Sequence, residues 1–403
     1  MTSSTVVTGI GVAAPNGLGT QQYWEAVCNG TSGIDRIASF DATGYPLHLA
    51  GEVSNFEASV HLPSRLLPQT DRMTRLALTA TDWALLDAGI EADTFDSLDM
   101  GVVTAASAGG FEFGQNELKK LWSQGNHHVS AYQSFAWFYA VNSGQISIRN
   151  NMRGPSGVVV SDQSGGLDAV AHARRQIRKG TKAVVTGGID ATICPWGWVA
   201  LIASDRLSTN PDPASAYLPF DVRARGHVPG EGGAILVTED AQQARDRGAR
   251  IYGEIAGYGA TFDGHERITG SEGLIRAIEV ALADAHVSTG DIDVVFADAA
   301  GDRSLDRSEA DALRRLFGER GVPVTAPKTM TGRLYSGGAA LDLATALLSI
   351  AEGVVPPTIN TEPDSEFGLD LVTGSARAQV VRHALVLARG HHGFNSAVVA
   401  RAA

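Results

Sequence analysis

Cysteine is nearly absent: Cys28 and Cys194 are the only two in 403 residues. Two cannot build a disulfide framework, so the core must hold the fold, and the reducing cytoplasm is the expected location. No run of about 18 consecutive apolar residues occurs, so no transmembrane helix is expected. Met1-Thr2-Ser3-Ser4 carries no basic stretch and leads into a buried-strand pattern rather than a signal segment. Positive charge is the minority sign, with 32 Lys+Arg against 44 Asp+Glu and a net charge of -12. That balance lacks the basic footprint of a nucleic-acid binder or a protein held on an anionic membrane. It would also repel an acidic carrier protein, unless a basic patch or a partner chain received it. Metal-ligand spacing is missing too. His127-His128 and His391-His392 are adjacent pairs whose rings point apart, with no spaced carboxylate or cysteine set. Gly9-Ile10-Gly11-Val12-Ala13-Ala14 falls short of a dinucleotide fingerprint, because Pro15-Asn16-Gly17 breaks the helix that should follow. Neither cysteine follows a strand into a glycine-flanked helix start, where a thiol would be activated.

What is present is a large apolar interior, with 44% hydrophobic and 19% charged residues. Short apolar runs predict strands at Thr5–Val12, Met100–Thr104, Gly157–Val160, Ala183–Thr186, Ala234–Thr238, Val294–Ala297, Ala384–Ala388 and Ala397–Ala400. Helical periodicity runs through Arg75–Ala88, Gly166–Lys179, Gly273–Ala285 and Ala340–Ile350. The alternation predicts an α/β fold with buried sheets. Two cues recur in the same order. Ala84-Leu85-Leu86-Asp87-Ala88 is echoed by Ala281-Leu282-Ala283-Asp284-Ala285, each before a polar loop and a strand. Gly165-Gly166-Leu167-Asp168 is echoed by Gly337-Gly338-Ala339-Ala340-Leu341-Asp342. This predicts an internal duplication with halves 1–245 and 246–403, joined by the charged, helix-prone Glu239–Arg250. Asn210–Pro219 and Pro356–Ser365 read as loops. Arg174-Arg175-Gln176-Ile177-Arg178-Lys179 reads as a solvated helix face. Phe135-Ala136-Trp137-Phe138-Tyr139 is denser in aromatics than a free surface carries, so it reads as core or subunit interface.

The chemical signal begins at Val158-Val159-Val160-Ser161-Asp162-Gln163-Ser164-Gly165-Gly166. An apolar strand runs into a tight turn and then a helix. A residue at that turn meets unpaired N–H groups and the positive end of the helix dipole, which would activate a thiol. Its occupant is Gln163, whose amide is no useful nucleophile. By itself the unit is common to α/β proteins. Three further stretches single it out: Pro219-Phe220-Asp221 with Gly230-Glu231-Gly232-Gly233-Ala234, Pro327-Lys328-Thr329-Met330-Thr331-Gly332, and Gly393-Phe394-Asn395-Ser396-Ala397. Together they resemble, over the whole chain, the beta-ketoacyl synthases of the thiolase superfamily. The resemblance implies a thiolase-like fold, a duplicated five-layered α-β-α-β-α architecture.

Active members of that family carry Cys-His-His. The cysteine takes the acyl chain, and the histidines serve malonyl decarboxylation and enolate stabilisation. Matched motif by motif, those positions hold Gln163, Ala300 and Arg333. Glu309 and Lys328 match supporting positions and remain, as does Phe394 in the C-terminal loop, which His391-His392 alter. The pattern resembles the chain length factor, or ketosynthase beta subunit, of type II aromatic polyketide synthases. What this implies is a heterodimer with a ketosynthase alpha subunit, an acyl carrier protein bearing malonyl and polyketide chains, and no cofactor. A tunnel along the heterodimer interface would be closed by Phe111, Gly114 and Leu118, which share one helical face. Glycine at 114 and leucine rather than an aromatic at 118 would leave room for a long backbone, on the order of ten ketide units. The competing reading makes Phe111, Phe113, Leu118 and Leu121 ordinary core residues. An alternative activity is malonyl decarboxylation for priming, with Gln163 as an amide donor; an acyltransferase using Cys28 or Cys194 and a purely structural scaffold are further alternatives.

Overall fold

The computed structural model describes residues 4–91, 93–264 and 269–403. Its main strands are β1 (Thr5–Ala14), β2 (Met100–Ala105), β3 (Ser156–Val159), β4 (Ala183–Asp190), β5 (Gly232–Asp240) and β6 (Gly253–Phe262). They continue with β7 (Val294–Phe296), β8 (Pro323–Thr325), β9 (Asp370–Leu371), β10 (His383–Arg389) and β11 (Phe394–Arg401). The helices that matter here are α1 (Arg72–Asp87), α2 (Phe111–Gln124), α3 (Val141–Arg149), α4 (Gly165–Arg178) and α5 (Pro195–Ile202). Then come α6 (Glu272–Ala285), α7 (Arg303–Phe317) and α8 (Ser336–Glu352).

The strands lie in the order β9-β8-β7-β10-β11-β6-β1-β5-β4-β2-β3. Read outward from the β1–β6 contact, the two sides repeat. On one side β1, β5, β4, β2 and β3 follow; on the other β6, β11, β10, β7 and β8. Pairing sense repeats as well, antiparallel for the first two steps and parallel for the last two. Helices α4 and α8 lie between the two half-sheets. Helices α1 and α3 cover one outer face, α6 and α7 the other, which makes five layers.

The repeat has a physical basis in glycine. A Cβ on Gly9 would stand 2.1 Å from the Ala84 carbonyl, and one on Gly11 1.9 Å from that of Ala80. A Cβ on Gly257 would stand 2.1 Å from the Ala281 carbonyl, and one on Gly259 2.1 Å from that of Ala277. Each half therefore lays an alanine-rich helix directly on a glycine-bearing strand. In the middle layer, a Cβ on Gly166 would lie 2.5 Å from the Ser336 carbonyl, so α4 and α8 touch backbone to backbone. Only residues without side chains permit these approaches.

The strands differ from expectation where glycine was read as punctuation. β4 runs through Gly187-Gly188 to Asp190, because these residues pass against the Ala234 and Ser336 carbonyls instead of turning. β6 went unpredicted because Gly253, Gly257 and Gly259 break its alternation. The basic stretch on α4 is also corrected. Arg175, Arg178 and Lys179 are exposed, but Arg174 is buried, ion-paired with Asp284 of α6 and hydrogen-bonded to the Ala256 carbonyl of β6. It is a tie between halves. The expected linker contains the short helix Ala241–Asp246. No described helix is long and apolar enough to cross a membrane.

Gly11→Ala and Gly259→Ala should each lower the thermal denaturation midpoint, by an amount equivalent to about 1–3 kcal/mol of overpacking. Gly44→Ala, where a Cβ meets nothing within 4 Å, should stay within about 0.5 kcal/mol of the parent.

Candidate functional site

A cavity of about 570 Å³ opens where the two halves meet, and Gln163, Ala300, Arg333 and Phe394 all line it. Three positions spread over 170 residues of sequence thus converge on one space. Glu309 and Lys328 lie behind them, both buried.

Gln163 stands in the turn Asp162–Ser164, directly before α4. Asp162 takes a left-handed backbone, φ +52°, to make the turn. Gln163 is 1% exposed, and neither atom of its amide has a hydrogen-bond partner. It packs against Gly338, where a Cβ would come within 2.8 Å of its Nε2. One turn further on, Asp168 accepts from Ser161 Oγ at 2.5 Å, from Tyr258 Oη at 2.8 Å and from Ser396 Oγ. These bonds anchor the turn to the second half.

Arg333 fills the place expected of a histidine with a paired charge. Its guanidinium bonds Asp298 Oδ1 at 2.9 Å and the Asp298 carbonyl at 2.8 Å, and reaches the Arg389 carbonyl at 3.3 Å. Burial alone would raise the Asp298 carboxyl. Arg333 and then Lys328 overcome that and hold it below the usual carboxylate range. Lys328 Nζ bonds the Asp298 carbonyl at 3.0 Å and pairs with buried Asp342 at 2.7 Å. Glu309 accepts from the N–H groups of Asp298 and Ala299 at 2.7 and 2.8 Å. Burial, then the nearby Asp298, pushes the Glu309 carboxyl up to about 7. Lys328 and Glu309 therefore clamp the loop that presents Ala300, which offers the cavity only a methyl group.

Sequence reasoning missed Asp298 as the partner of Arg333. The signal was available, since a guanidinium replacing an imidazole in a buried motif requires an acid. It also missed His227, a buried wall residue whose Nε2 has no partner. Burial, then Arg333 and Arg206, drives His227 well below its ordinary range, so it is a neutral ring and a weak base. The altered C-terminal loop is tied down: the His391 N–H donates to Asp162 Oδ2 at 2.6 Å. Cys194 immediately precedes a helix, α5, but is flanked by Ile193 and Pro195 rather than glycine, and burial pushes its thiol up to about 11. Cys28 is half-buried and likewise pushed up to about 11. Among the described residues no cluster of His, Cys, Asp or Glu is spaced to hold a metal ion.

Phe111, Gly114 and Leu118 lie apart from this cavity, on α2. None of Phe111, Phe113, Leu118 and Leu121 is buried, which removes the reading of them as ordinary core. Phe111 packs on Trp196 of α5 with ring centroids 4.8 Å apart. The room expected at Gly114 is occupied, since a Cβ there would stand 3.2 Å from Trp196 Cζ3 and 3.5 Å from Trp137 Cβ. Trp122, Trp137 and Trp196 are 83%, 49% and 44% exposed. Around α2 the surface is thus rich in uncovered aromatic rings, of which Trp137, Phe138 and Tyr139 form part.

Arg333→Met should destabilise the fold by about 3–5 kcal/mol, because it strands Asp298 as a buried, unpaired charge. Adding Asp298→Asn should recover much of that loss, as read by chemical denaturation. In the parent, ionised Asp298 contributes stability above its unfolded pKa. That contribution should fade as acid carries the pH down toward its depressed folded value.

Comparison with known proteins agrees with this geometry. The profile of the beta-ketoacyl synthase N-terminal domain matches residues 2–244, and that of the C-terminal domain residues 252–362. The chain is 60% identical over 399 residues to the tetracenomycin polyketide synthase ketoacyl synthase beta subunit of Streptomyces glaucescens, covering 98% of each. It is 57% identical over 400 residues to the actinorhodin polyketide putative beta-ketoacyl synthase 2 of Streptomyces coelicolor, covering 99% of this chain and 98% of that one. Among solved structures, the ishigamide ketosynthase/chain length factor superposes with a TM-score of 0.92 at 28% identity over the full length of both. A type II polyketide synthase ketosynthase bound to its acyl carrier protein and a hexaketide gives 0.90 at 26% identity, again at full coverage. With its fold and duplicated sheet described, and with two family profiles matching most of its length, the chain belongs to the beta-ketoacyl synthase family.

Proposed function

We propose that the chain is the non-nucleophilic subunit of a ketosynthase heterodimer, a chain length factor. It shapes the tunnel in which iterative condensation of malonyl units extends a polyketide. The observation that carries this is the cavity itself. All three catalytic positions meet there, and they hold an amide, a methyl group and a guanidinium already committed to Asp298. Nothing in that set attacks a thioester or relays a proton. The chemistry therefore belongs to a partner, a ketosynthase alpha subunit with cysteine and both histidines, loaded by an acyl carrier protein. The partner's seat on this reading is the aromatic surface around α2 together with β3, whose outer edge pairs with no strand among the described residues. Phe111 and Gly114, with Trp196 against them, and Leu118 form the tunnel's closed end. We further place the complex in the cytoplasm and the join between halves near residue 245.

A second reading, malonyl decarboxylation for priming, draws on the unpartnered Gln163 amide, a buried donor free to meet a carboxyl or carbonyl group. One experiment separates the two. Supplied with malonyl carrier protein, the chain alone should release no carbon dioxide and form no acyl adduct by mass spectrometry, while the co-expressed heterodimer does both. Decarboxylation by the lone chain would overturn the first reading in favour of the second. In the heterodimer, Gly114→Leu should push Trp196 into the tunnel and shorten the product by at least one ketide unit. Unchanged product length would remove α2 from length control.

A further inference from the structure

Helix α2 carries the tunnel residues but has no cap of its own. Its N-cap residue is Gly110, which has no side chain to accept from the first-turn amides. The acceptor comes from another helix. Asp71 Oδ1 takes the N–H of Met73 at 2.8 Å and so caps α1. Its Oδ2 takes the N–H of Phe113 at 2.8 Å, in the first turn of α2. One carboxylate thus starts two helices, bridging 42 residues of sequence. Burial pushes the Asp71 carboxyl up to about 7, and the two amide donors oppose that rise.

The surroundings are built for this contact. A Cβ on Gly110 would lie 2.7 Å from Asp71 Cβ and 2.2 Å from the Ala136 carbonyl. A Cβ on Gly109 would lie 1.8 Å from the Trp137 carbonyl, and the Gly110 N–H donates to that same oxygen at 3.0 Å. The start of α2 is therefore pressed between Asp71 on one side and the aromatic segment on the other. Asp71 is 1% exposed, and α1 beneath it is seated on β1 through Gly9 and Gly11. α2 is half-exposed and lacks such a seat of its own.

We infer that Asp71 is a positioning residue for chain-length selection: by capping α1 and α2 together it references the tunnel helix to the rigid first half-sheet. The depth at which Phe111, Gly114 and Leu118 stand is then set by a bond that touches none of them. The inference rests on the reading of α2 as the tunnel's closed end.

Two variants test it in the co-expressed heterodimer. Asp71→Ser keeps a hydroxyl to cap α1 but cannot reach Phe113. Asp71→Asn keeps the volume but turns an N–H₂ toward one of the two donors. Hydrogen exchange by mass spectrometry should show residues 111–118 exchanging about fivefold faster in Asp71→Ser, the factor for one lost cap, with residues 73–80 unchanged. Products of non-native length should rise about fivefold or more, with total turnover within about threefold of the parent. Unchanged exchange at 111–118 overturns the capping claim. Faster exchange with unchanged product length overturns the selection claim. Failure of Asp71→Ser to assemble also counts against it, because α1 retains its cap. If Gly114→Leu likewise leaves product length unchanged while exchange in Asp71→Ser is faster, the tunnel reading has failed and the clamp stands.

Discussion

The cavity between the halves is organised around a guanidinium that cannot be left unpaired. Arg333 is buried, and a charge in that environment costs several kcal/mol unless its partners are in place. That requirement accounts for its neighbours in turn. Asp298 supplies the counter-charge, and its carbonyl takes both Arg333 and Lys328. Lys328 must then be balanced, and Asp342 of α8 does so. Glu309 takes the N–H groups of the same loop. The result is that Arg333 and Lys328 are each committed to a buried carboxylate. A ketosynthase needs the opposite condition, a thiolate and two imidazoles held short of complete satisfaction so that they can act on an acyl group.

The location of that set follows from the duplication. Each half ends its inner strands beside a glycine-initiated helix, α4 in one and α8 in the other, and those helices meet at Gly166 and Ser336. The turn before α4 presents Gln163. The turn before α8 contributes Arg333 and Tyr335, the latter with φ +53°. Two related strand–turn–helix units therefore face each other across one cavity. Both turns carry a residue in the left-handed region, Asp162 at φ +52° and Tyr335 at φ +53°.

Much of this was legible in the sequence, and the reasons are specific. The paired cues at Ala84–Ala88 and Ala281–Ala285 mark the positions where helices lie on glycine strands, so packing forced the repetition that exposed the duplication. Gln163, Ala300 and Arg333 were matched to Cys-His-His through the motifs of the resembled family, and the structure brings the three to one cavity. What stayed hidden depends on distant pairing. Arg174 looked like one more charge on a basic face until Asp284, 110 residues away, was seen to bury it. Trp196 could not be linked to Gly114 from sequence, because they lie on different helices 82 residues apart. β6 was lost because glycine reads as a breaker locally and as a contact only in three dimensions.

The contrast between two buried polar groups shows how far the site has relaxed. Around Arg333, Asp298 and Asp342 each meet an opposite charge, and Glu309 takes two backbone N–H groups. Gln163 has nothing: both amide atoms are buried without a partner, a condition that costs about 1–3 kcal/mol per group when water is excluded. An apolar residue of similar volume would remove that cost and pack equally well against Gly338. Stability alone therefore does not explain a glutamine there. Its amide sits at the start of α4, where a carbonyl or carboxyl oxygen would find a ready donor, while the neutral His227 lines the same space with its own unpartnered nitrogen. The cavity thus holds two groups able to bind an oxygen or an N–H. That asymmetry is the physical reason the proposed priming role, which would use this cavity, is a question distinct from the proposed role of α2.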